Sequence, residues 1–326
     1  CIRDRGGFVR APLVVTTTVA DLAAVELANR IVLLGGEITR EQLMPKNFPF
    51  YNPEHHQRIY HLLETKQPLA IIAATTKDEA LAGAVYPFPL IEDGDFDIPS
   101  VYLTAEEGER LAAHAGRDVV LDINARRIPA IACNVVGRRG AAMDRRLVVS
   151  AHIDAKIGTP GALDNASGVV VLMLLAELLA GYRGQIGLEL LIFNSEDYYS
   201  AAGEILYVRN NNDRFNEILL NINIDALGYR QGKSAYSLYS CPAELETLIR
   251  RTFAGRADWL AGEPWYQGDH GLFIQQQVPA MALTSDNLFE ILATVAHTAK
   301  DRPELVDPAK LTGAALALRD LLLAVA

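Results

Sequence analysis

Residues 147–168 constrain this chain most, because they combine an apolar strand, a polar loop and the start of an apolar helix. The run LVVS is short and β-branched at its centre, which predicts a buried strand. His152 and Asp154 follow at its carboxyl end and, with a period of two, point to the same side. Asp164 comes after a Thr-Pro-Gly turn, immediately before the helix GVVVLMLLAELLA. This pattern predicts a metal site in which His152 binds through one ring nitrogen, Asp154 accepts a hydrogen bond from the other, and Asp164 bridges two cations.

Strands alternate with helices from residue 129 to residue 326, which predicts an α/β sheet. In such a sheet, ligands bind outside the carboxyl ends of the strands. Further polar side chains stand at these positions. Glu196 and Asp197 follow the strand LELLIF, Asp225 follows ILLNINI, and His297 lies in the segment AHTAKD.

Residues 10–128 show a different pattern of short strands and turns, with one clear helix near residues 53–66. This predicts a separate, smaller, β-rich domain. His55, His56 and His61 lie on the helix, but their spacing does not place a pair on one face, so we predict a solvated surface without a function.

The charge balance excludes some partners. With 30 basic and 40 acidic residues, the chain has a formal net charge of −10, whereas nucleic acids and anionic membranes require a basic surface. The longest apolar run, residues 169–176, is too short to cross a bilayer. A peptide or small amide remains the expected substrate. Three scattered cysteines favour a reducing, cytoplasmic compartment. Because the chain opens on Cys1 and not on methionine, a leader peptide that has been removed stays an alternative.

The motifs H-x-D, P-G-A-x-D-N-A-S-G, N-S-E-D and H-T-x-x-D together resemble peptidase family M28, which groups di-zinc aminopeptidases with glutamate carboxypeptidases. The resemblance covers about residues 128–322. It implies the zinc exopeptidase fold, a mixed, mostly parallel sheet sandwiched by helices, and a cis peptide bond between Asp164 and Asn165. It also implies Glu196 as the general base. The metal ligands implied are His152, Asp164, Asp197, Asp225 and His297.

Two further segments carry resemblances. ANRIVLL, PLAIIAATT and IPSVYLTAEEGERL, within residues 10–128, resemble the protease-associated domain that many members insert before the catalytic strand; a helical segment of the catalytic domain normally precedes it. QGDHGLF, with Asp269 and His270, resembles a family segment near the substrate pocket. A helix-capping aspartate beside a bystander histidine is an equal alternative.

The charges of the predicted ligands give an independent indication of the number of metal ions. Asp164, Asp197, Asp225 and a bridging hydroxide carry four negative charges, which two zinc ions neutralise and one does not. We therefore expect two zinc ions, which the imidazoles favour over magnesium. His152 and Asp225 would serve one ion and Asp197 and His297 the other. Asp197 departs from the glutamate of many members but keeps the charge and the oxygen donor.

The expected activity is that of a metal-dependent exopeptidase, with an aminopeptidase as first choice. Glu196 would take the proton of the bridging water and later hand one to the leaving amine. Three alternatives stay open. A glutaminyl-cyclase-like enzyme would use one zinc ion, a glutamate-carboxypeptidase-like enzyme would need a basic pocket, and a non-catalytic binding protein of the same fold would have lost ligands.

Overall fold

Two β-sheets organise the chain, and each belongs to its own unit, with the division after residue 131. The structure, a computed structural model, describes residues 7–40, 43–44, 53–75, 98–124, 129–156, 158–197 and 201–325. Within these residues, no helix is long and apolar enough to cross a membrane.

The first unit contains a five-stranded sheet. Its strands are β1 (Gly7–Thr16), β2 (Ile31–Leu34), β3 (Ala70–Thr75), β4 (Ser100–Thr104) and β5 (Asp118–Ile123). The order is β4-β3-β2-β1-β5, in which only β5 pairs antiparallel with its neighbour. All of β2 is buried, because its alternate side chains enter two different clusters. Val32 and Leu34 pack in one cluster, and Ile31 and Leu33 in the other.

The described part of this unit has three helices, where the sequence predicted one: α1 (Val19–Ala24), α2 (Glu54–Lys66) and α3 (Ala105–Ala112). The two that were missed are short, and each begins at a capping threonine. Thr18 accepts a hydrogen bond from the backbone nitrogen of Asp21 at 3.0 Å, and Thr104 accepts one from that of Glu107 at 3.4 Å. A threonine followed three residues later by glutamate is a helix-start signal, and it was present in IPSVYLTAEEGERL.

The prediction of a solvated surface on α2 is wrong for His56. This side chain is 1% exposed, and its Nδ1 accepts a hydrogen bond from the backbone nitrogen of Met44 at 3.1 Å. His55 and His61 are exposed. His56 lies on the same buried side of the helix as Ile59 and Leu63. The prediction was wrong because the spacing between histidines does not indicate which face of a helix packs against the core.

The second unit contains a seven-stranded sheet. Its strands are β6 (Val135–Arg139), β7 (Arg146–His152), β8 (Gly187–Phe193), β9 (Ile218–Ile224), β10 (Ser234–Tyr239), β11 (Trp259–Ala261) and β12 (Ala280–Ser285). The order is β11-β10-β12-β9-β7-β8-β6. The central strands β12, β9, β7 and β8 are parallel, while β6 and β10 join them antiparallel. The sheet is mixed and mostly parallel, as predicted.

Helices cover both faces of this sheet. They are α4 (Ser167–Leu178), α5 (Ala202–Asn211), α6 (Ala243–Ala254), α7 (His270–Gln275), α8 (Leu288–Thr294) and α9 (Pro308–Val325). On one face, α4, α6 and α9 contribute Leu175, Ile249 and Leu318 to the main apolar core. On the other, Tyr207 of α5 and Phe273 of α7 pack with their ring centroids 5.8 Å apart. The predicted α/β class with helices on both sides of the sheet is confirmed.

The parallel pairing brings three strand ends to one edge. His152, the last residue of β7, is in register with Phe193, the last residue of β8. Ser150 of β7 is in register with Asn223 of β9. Residues that follow β8 and β9 therefore meet His152 at the same edge of the sheet.

Candidate metal centre

His152, Asp164 and Asp225 form a first group of buried ligand atoms at this edge. Nε2 of His152 lies 3.2 Å from an Asp164 oxygen and 3.6 Å from an Asp225 oxygen. Nε2 has no hydrogen-bonding partner within the described residues that satisfies the usual geometry, although the ring is 1% exposed. An imidazole nitrogen directed between two carboxylates is a donor set that suits a divalent transition metal.

Asp164, Asp197 and His297 form a second group, which shares Asp164 with the first. Nε2 of His297 lies 3.1 Å from the other Asp164 oxygen and 2.8 Å from an Asp197 oxygen. In each group the ligand atoms all lie within 4.8 Å of one another. The structure thus brings together all five predicted ligands, and one carboxylate faces both histidines with different oxygens.

The position of Asp164 depends on backbone hydrogen bonds from the loop after β7. The amides of Leu163 and Asp164 donate to the carboxylate of Asp301 at 2.7 and 3.0 Å. The peptide bond between Asp164 and Asn165 is cis, as the family resemblance implied. The Asn165 side chain donates to the backbone oxygen of Ile224, at the end of β9, at 2.8 Å. Asp301, the last residue of the H-T-x-x-D motif, thus fixes the backbone at Asp164.

Asp154 differs from the prediction in the atom that it offers to His152. Nδ1 of His152 lies 3.0 Å from the backbone oxygen of Asp154, whereas the carboxylate is 3.8 Å away. The ring is therefore oriented by a main-chain carbonyl. The Asp154 carboxylate instead accepts hydrogen bonds from the backbone amides of Ser195, Glu196 and Asp197 at 2.8, 3.2 and 3.0 Å. It holds the turn that carries the two neighbouring acids.

Glu196 and Asp197 face different partners, although they are adjacent. Asp197 belongs to the second ligand group, while Glu196 belongs to neither. The nearest Glu196 oxygen lies 4.0 Å from Nε2 of His152, and the side chain is 8% exposed. On the other side of the turn, buried Lys156 donates a hydrogen bond to the backbone oxygen of Asp197. The sequence did not predict this hydrogen bond, because a single lysine in a loop is usually exposed to solvent.

Burial and mutual charge shift the pKa values of the site in opposite directions. Burial lowers the pKa of His152, but the charge of Glu196 and the contacts with Asp164 and Asp225 outweigh it and raise this pKa well above its usual value. In the same way, Asp197 and Asp164 raise the pKa of His297 to about 10 against the effect of burial. Burial raises the pKa of Asp164, yet contacts with both histidines bring it far below its usual value. Without a metal, the histidines therefore hold protons that a metal ion would displace.

Burial raises the pKa of Glu196 well above its usual value. The charge of His152 opposes this increase, and those of Asp269 and Asp197 reinforce it. A carboxylate with a raised pKa is a stronger proton acceptor at neutral pH, which is the property of a general base.

Asp269 and His270 lie at the start of α7, and the capping alternative is not what the structure shows. Asp269 makes no side-chain hydrogen bond to the helix. It is 1% exposed, and its charge acts on Glu196. His270 is wholly buried, with Nε2 at 2.8 Å from the backbone oxygen of Trp265. Asp269 thus lies within the electrostatic range of the site, whereas His270 packs among aromatic rings.

Comparison with known proteins identifies the family of the chain. The model of peptidase family M28 matches residues 134–322, so the chain belongs to this family. Leucine aminopeptidase 2 of Trichophyton rubrum is 25% identical over 204 residues, which cover 57% of this chain and 41% of that protein. The chain thus spans about two fifths of the length of the curated relatives it matches.

Solved structures show the same fold. An aminopeptidase from Aneurinibacillus sp. strain AM-1 superposes with a TM-score of 0.66 at 20% identity, over 98% of this chain and 75% of that one. The zinc aminopeptidase BSAP of Bacillus subtilis gives 0.69 at 18% identity, over 97% and 75%. A glutaminyl cyclase from Tannerella forsythia gives 0.50 at 18% identity, over 58% and 77%.

Proposed function

We propose that this chain carries the catalytic centre of a zinc-dependent aminopeptidase that removes N-terminal residues from peptides. The observation that carries the proposal is the shared Asp164 carboxylate between two ligand groups, with the unligated acid Glu196 beside them. His152, Asp164 and Asp225 would hold one zinc ion, and Asp164, Asp197 and His297 the other. Three of the four named relatives are aminopeptidases, which agrees with the proposal.

Each part of the proposed site has a different role in peptide hydrolysis. Bound zinc would supply Lewis acidity, polarising the scissile carbonyl and lowering the pKa of water. Glu196 accepts the proton of the attacking water and returns one to the leaving amine, for which its raised pKa suits it. Asp154 keeps Glu196 in place by accepting the backbone hydrogen bonds of the turn.

A cavity of about 400 Å³ in the second unit favours a substrate whose side chain is not acidic. Ser285 belongs to its lining, and the backbone amide of Ser285 donates a hydrogen bond to the backbone oxygen of Ala226. Ala226 directly follows the proposed ligand Asp225 in the chain. Its described lining includes Leu260, Trp265, Leu288 and Phe289, together with the acids Glu263 and Asp286, and contains no lysine or arginine. A carboxypeptidase for acidic dipeptides would need a basic group there, so this lining argues against that alternative.

The experiment is a panel of aminoacyl nitroanilides assayed with protein of known zinc content. We expect cleavage of apolar aminoacyl substrates, loss of cleavage on chelation, recovery with zinc, and no cleavage of the N-acetylated substrate. A glutaminyl cyclase is the second candidate, because its fold is similar over 58% of the chain. Saturation at one zinc ion, with cyclisation of a glutaminyl peptide and no nitroanilide cleavage, would favour that enzyme.

We further assign residues 10–128 as a protease-associated-like domain that accompanies the catalytic domain at residues 129–326. The sequence phrases support this assignment. Deleting the first unit tests its contribution: we expect the zinc content of the remaining unit to persist and KM for long peptides to increase more than KM for aminoacyl nitroanilides.

A further inference from the structure

The cavity in the second unit contains two negative charges to which the proposed reaction gives no task. Glu263 and Asp286 belong to its lining, and both residues are exposed. Among the residues that the structure describes, neither carboxylate takes part in an ion pair or a hydrogen bond. Lys233, whose backbone oxygen accepts a hydrogen bond from the amide of Asp286, is not part of the lining. The two acids therefore belong to a described lining that holds no cation.

The pairing of two strands places this cavity next to a proposed metal ligand. Leu283 of β12 is in register with Ile224 of β9, and both side chains belong to the main apolar core. The residues that follow, Thr284 and Asp225, therefore point to the opposite face of the sheet. They lie on neighbouring chain segments, which are roughly 5 Å apart in a sheet. Because Thr284 lines the cavity, a residue bound at the metal centre can place its side chain there.

The cavity walls offer apolar surface together with polar groups that have no partner. The apolar walls include Leu260, Leu288 and Phe289, of which Phe289 is 62% exposed. Thr284 is 4% exposed, and its hydroxyl oxygen has no hydrogen-bonding partner among the described residues. The same holds for Nε1 of Trp265, a buried residue of the lining. Since buried polar groups are nearly always hydrogen-bonded, these atoms indicate a cavity that receives a ligand with polar groups.

A lysine or arginine side chain matches this arrangement. Such a side chain packs its aliphatic part on apolar surface and keeps its charged end near solvent. Thr284, beside the metal ligand, is buried, whereas Glu263 and Asp286 are exposed. A long side chain that starts beside Thr284 and passes the apolar walls therefore ends near two carboxylates. The neutral groups of Thr284 and Trp265 do not distinguish a cation from an uncharged side chain, so the two acids decide the charge.

We propose that this cavity receives the side chain of the substrate's N-terminal residue and that Glu263 and Asp286 select a basic residue, lysine or arginine. This inference rests on the proposed function, in which that N-terminal residue is bound at the metal centre, and it names the substrate class. Apolar residues also fit the walls. The two acids add a preference for a cation over an uncharged side chain of similar length.

Lysyl and norleucyl nitroanilides measure this preference, because norleucine has the aliphatic chain of lysine without the ammonium group. The measured quantity is the ratio of kcat/KM for the lysyl substrate to kcat/KM for the norleucyl substrate. We expect this ratio to exceed one in the zinc-loaded wild type and to fall about two- to fivefold in Glu263→Gln and in Asp286→Asn, as for exposed ion pairs. The double variant should lose about 10-fold, with kcat/KM for the norleucyl substrate unchanged.

Glu290→Gln on α8 is the matched control. Glu290 is exposed and carries the same charge, but it lies outside the cavity lining, so the ratio should stay that of the wild type. Added salt should lower the ratio in the wild type and leave it unchanged in the double variant, because salt screens exposed charges. A ratio of one or less in the wild type, or equal ratios in the wild type and the double variant, would overturn the inference.

Calorimetry separates this inference from the proposed reaction. L-Lysine and L-norleucine, the products of the two substrates, are titrated into the zinc-loaded wild type and the double variant. We expect lysine to bind more tightly than norleucine to the wild type, and this difference to disappear in the double variant. If lysine shows this preference but no nitroanilide is cleaved, the cavity selects a cation and the proposed function is what fails. If both nitroanilides are cleaved without a preference for lysine, the proposed function stands and the inference is wrong. If neither amino acid binds and neither substrate is cleaved, both are wrong.

Discussion

The backbone amide of Asp197 donates a hydrogen bond to the Asp154 carboxylate at 3.0 Å, so that the loop after β7 fixes the turn after β8. The amides of Ser195 and Glu196 donate to the same carboxylate. Both partners of each of these hydrogen bonds are protein groups, so none of the bonds needs a metal ion. The turn that presents one ligand and the proposed base is therefore held by Asp154 whether or not a metal is bound.

Asp154→Asn should weaken catalysis more than it weakens folding. The new asparagine side chain has one acceptor oxygen where the carboxylate had two, and its NH₂ group would face backbone N–H groups that are themselves donors. The turn of Glu196 and Asp197 therefore loses part of the hydrogen bonding that holds it. We expect kcat/KM to fall by about 10- to 100-fold, with weaker zinc retention. Steady-state kinetics at saturating zinc and metal analysis after dialysis measure this. Asp144→Asn, at an exposed position, is the control and should match the wild type. Unchanged kinetics in Asp154→Asn would mean that the turn does not need this carboxylate.

Glu196→Gln and Asp197→Asn should separate the proposed base from the proposed ligand. Glu196→Gln preserves the shape but not the proton acceptance, so we expect kcat to fall by roughly 10² to 10⁴-fold with zinc content unchanged. Asp197→Asn removes a charged donor from the group with Asp164 and His297, so zinc should be lost first as chelator is titrated. Kinetics and elemental analysis on the same samples provide the test.

The reverse result would exchange the two roles. If Glu196→Gln lost metal while Asp197→Asn kept both ions without activity, Glu196 would be the ligand. If both variants retained full activity, the two acids would be ordinary members of a polar turn, and the catalytic assignment would be wrong.

His152, Asp197 and Asp225 could be predicted from the sequence because each follows a strand of clear pattern, and parallel strands end at one edge. Asp164 was predictable from its place between a Thr-Pro-Gly turn and a helix start, whereas His297 lies in a loop, and for it the family resemblance supplied what periodicity could not. The hydrogen bond from His152 to the Asp154 backbone could not be predicted, because side-chain spacing does not distinguish a carboxylate from a carbonyl. The burial of Glu204 could not be predicted either, because on α5 the apolar side chains of Ile205 and Leu206 are exposed while Glu204 is buried.

Arg146 should contribute far more to stability than Arg138, although both contact Glu189. The Arg146 side chain is 2% exposed and lies 2.7 Å from Glu217 and 2.9 Å from Asn211. Arg138 is 56% exposed and lies 2.7 Å from Glu189. Arg146→Met removes a buried cation from Glu217 and Asn211 and from the buried Glu189 carboxylate 3.9 Å away, which should lower the free energy of unfolding by about 3 to 5 kcal/mol.

Arg138→Met is the comparison variant, with an expected loss of about 1 to 2 kcal/mol, because Glu189 keeps the Tyr207 hydroxyl and Arg146 as partners. Urea unfolding followed by tryptophan fluorescence is suited to both, since Trp259 and Trp265, the two tryptophans of the chain, lie in the second unit. Equal losses in the two variants would contradict the importance of the buried pair.

His270 should make the stability of the second unit depend on pH. Burial lowers its pKa to about 4, although the hydrogen bond with the Trp265 oxygen opposes this. The unfolded chain takes up the proton near pH 6.5, so between these values it binds more protons than the folded protein does. The contribution is therefore complete above about pH 6.5 and is lost as the pH falls, by roughly 2 kcal/mol between about pH 7 and about pH 5. Tryptophan-monitored unfolding of the metal-free protein at both pH values measures it, and His270→Gln should remove this part of the slope. If the variant loses stability with pH as steeply as the wild type, His270 does not stay neutral in the folded protein.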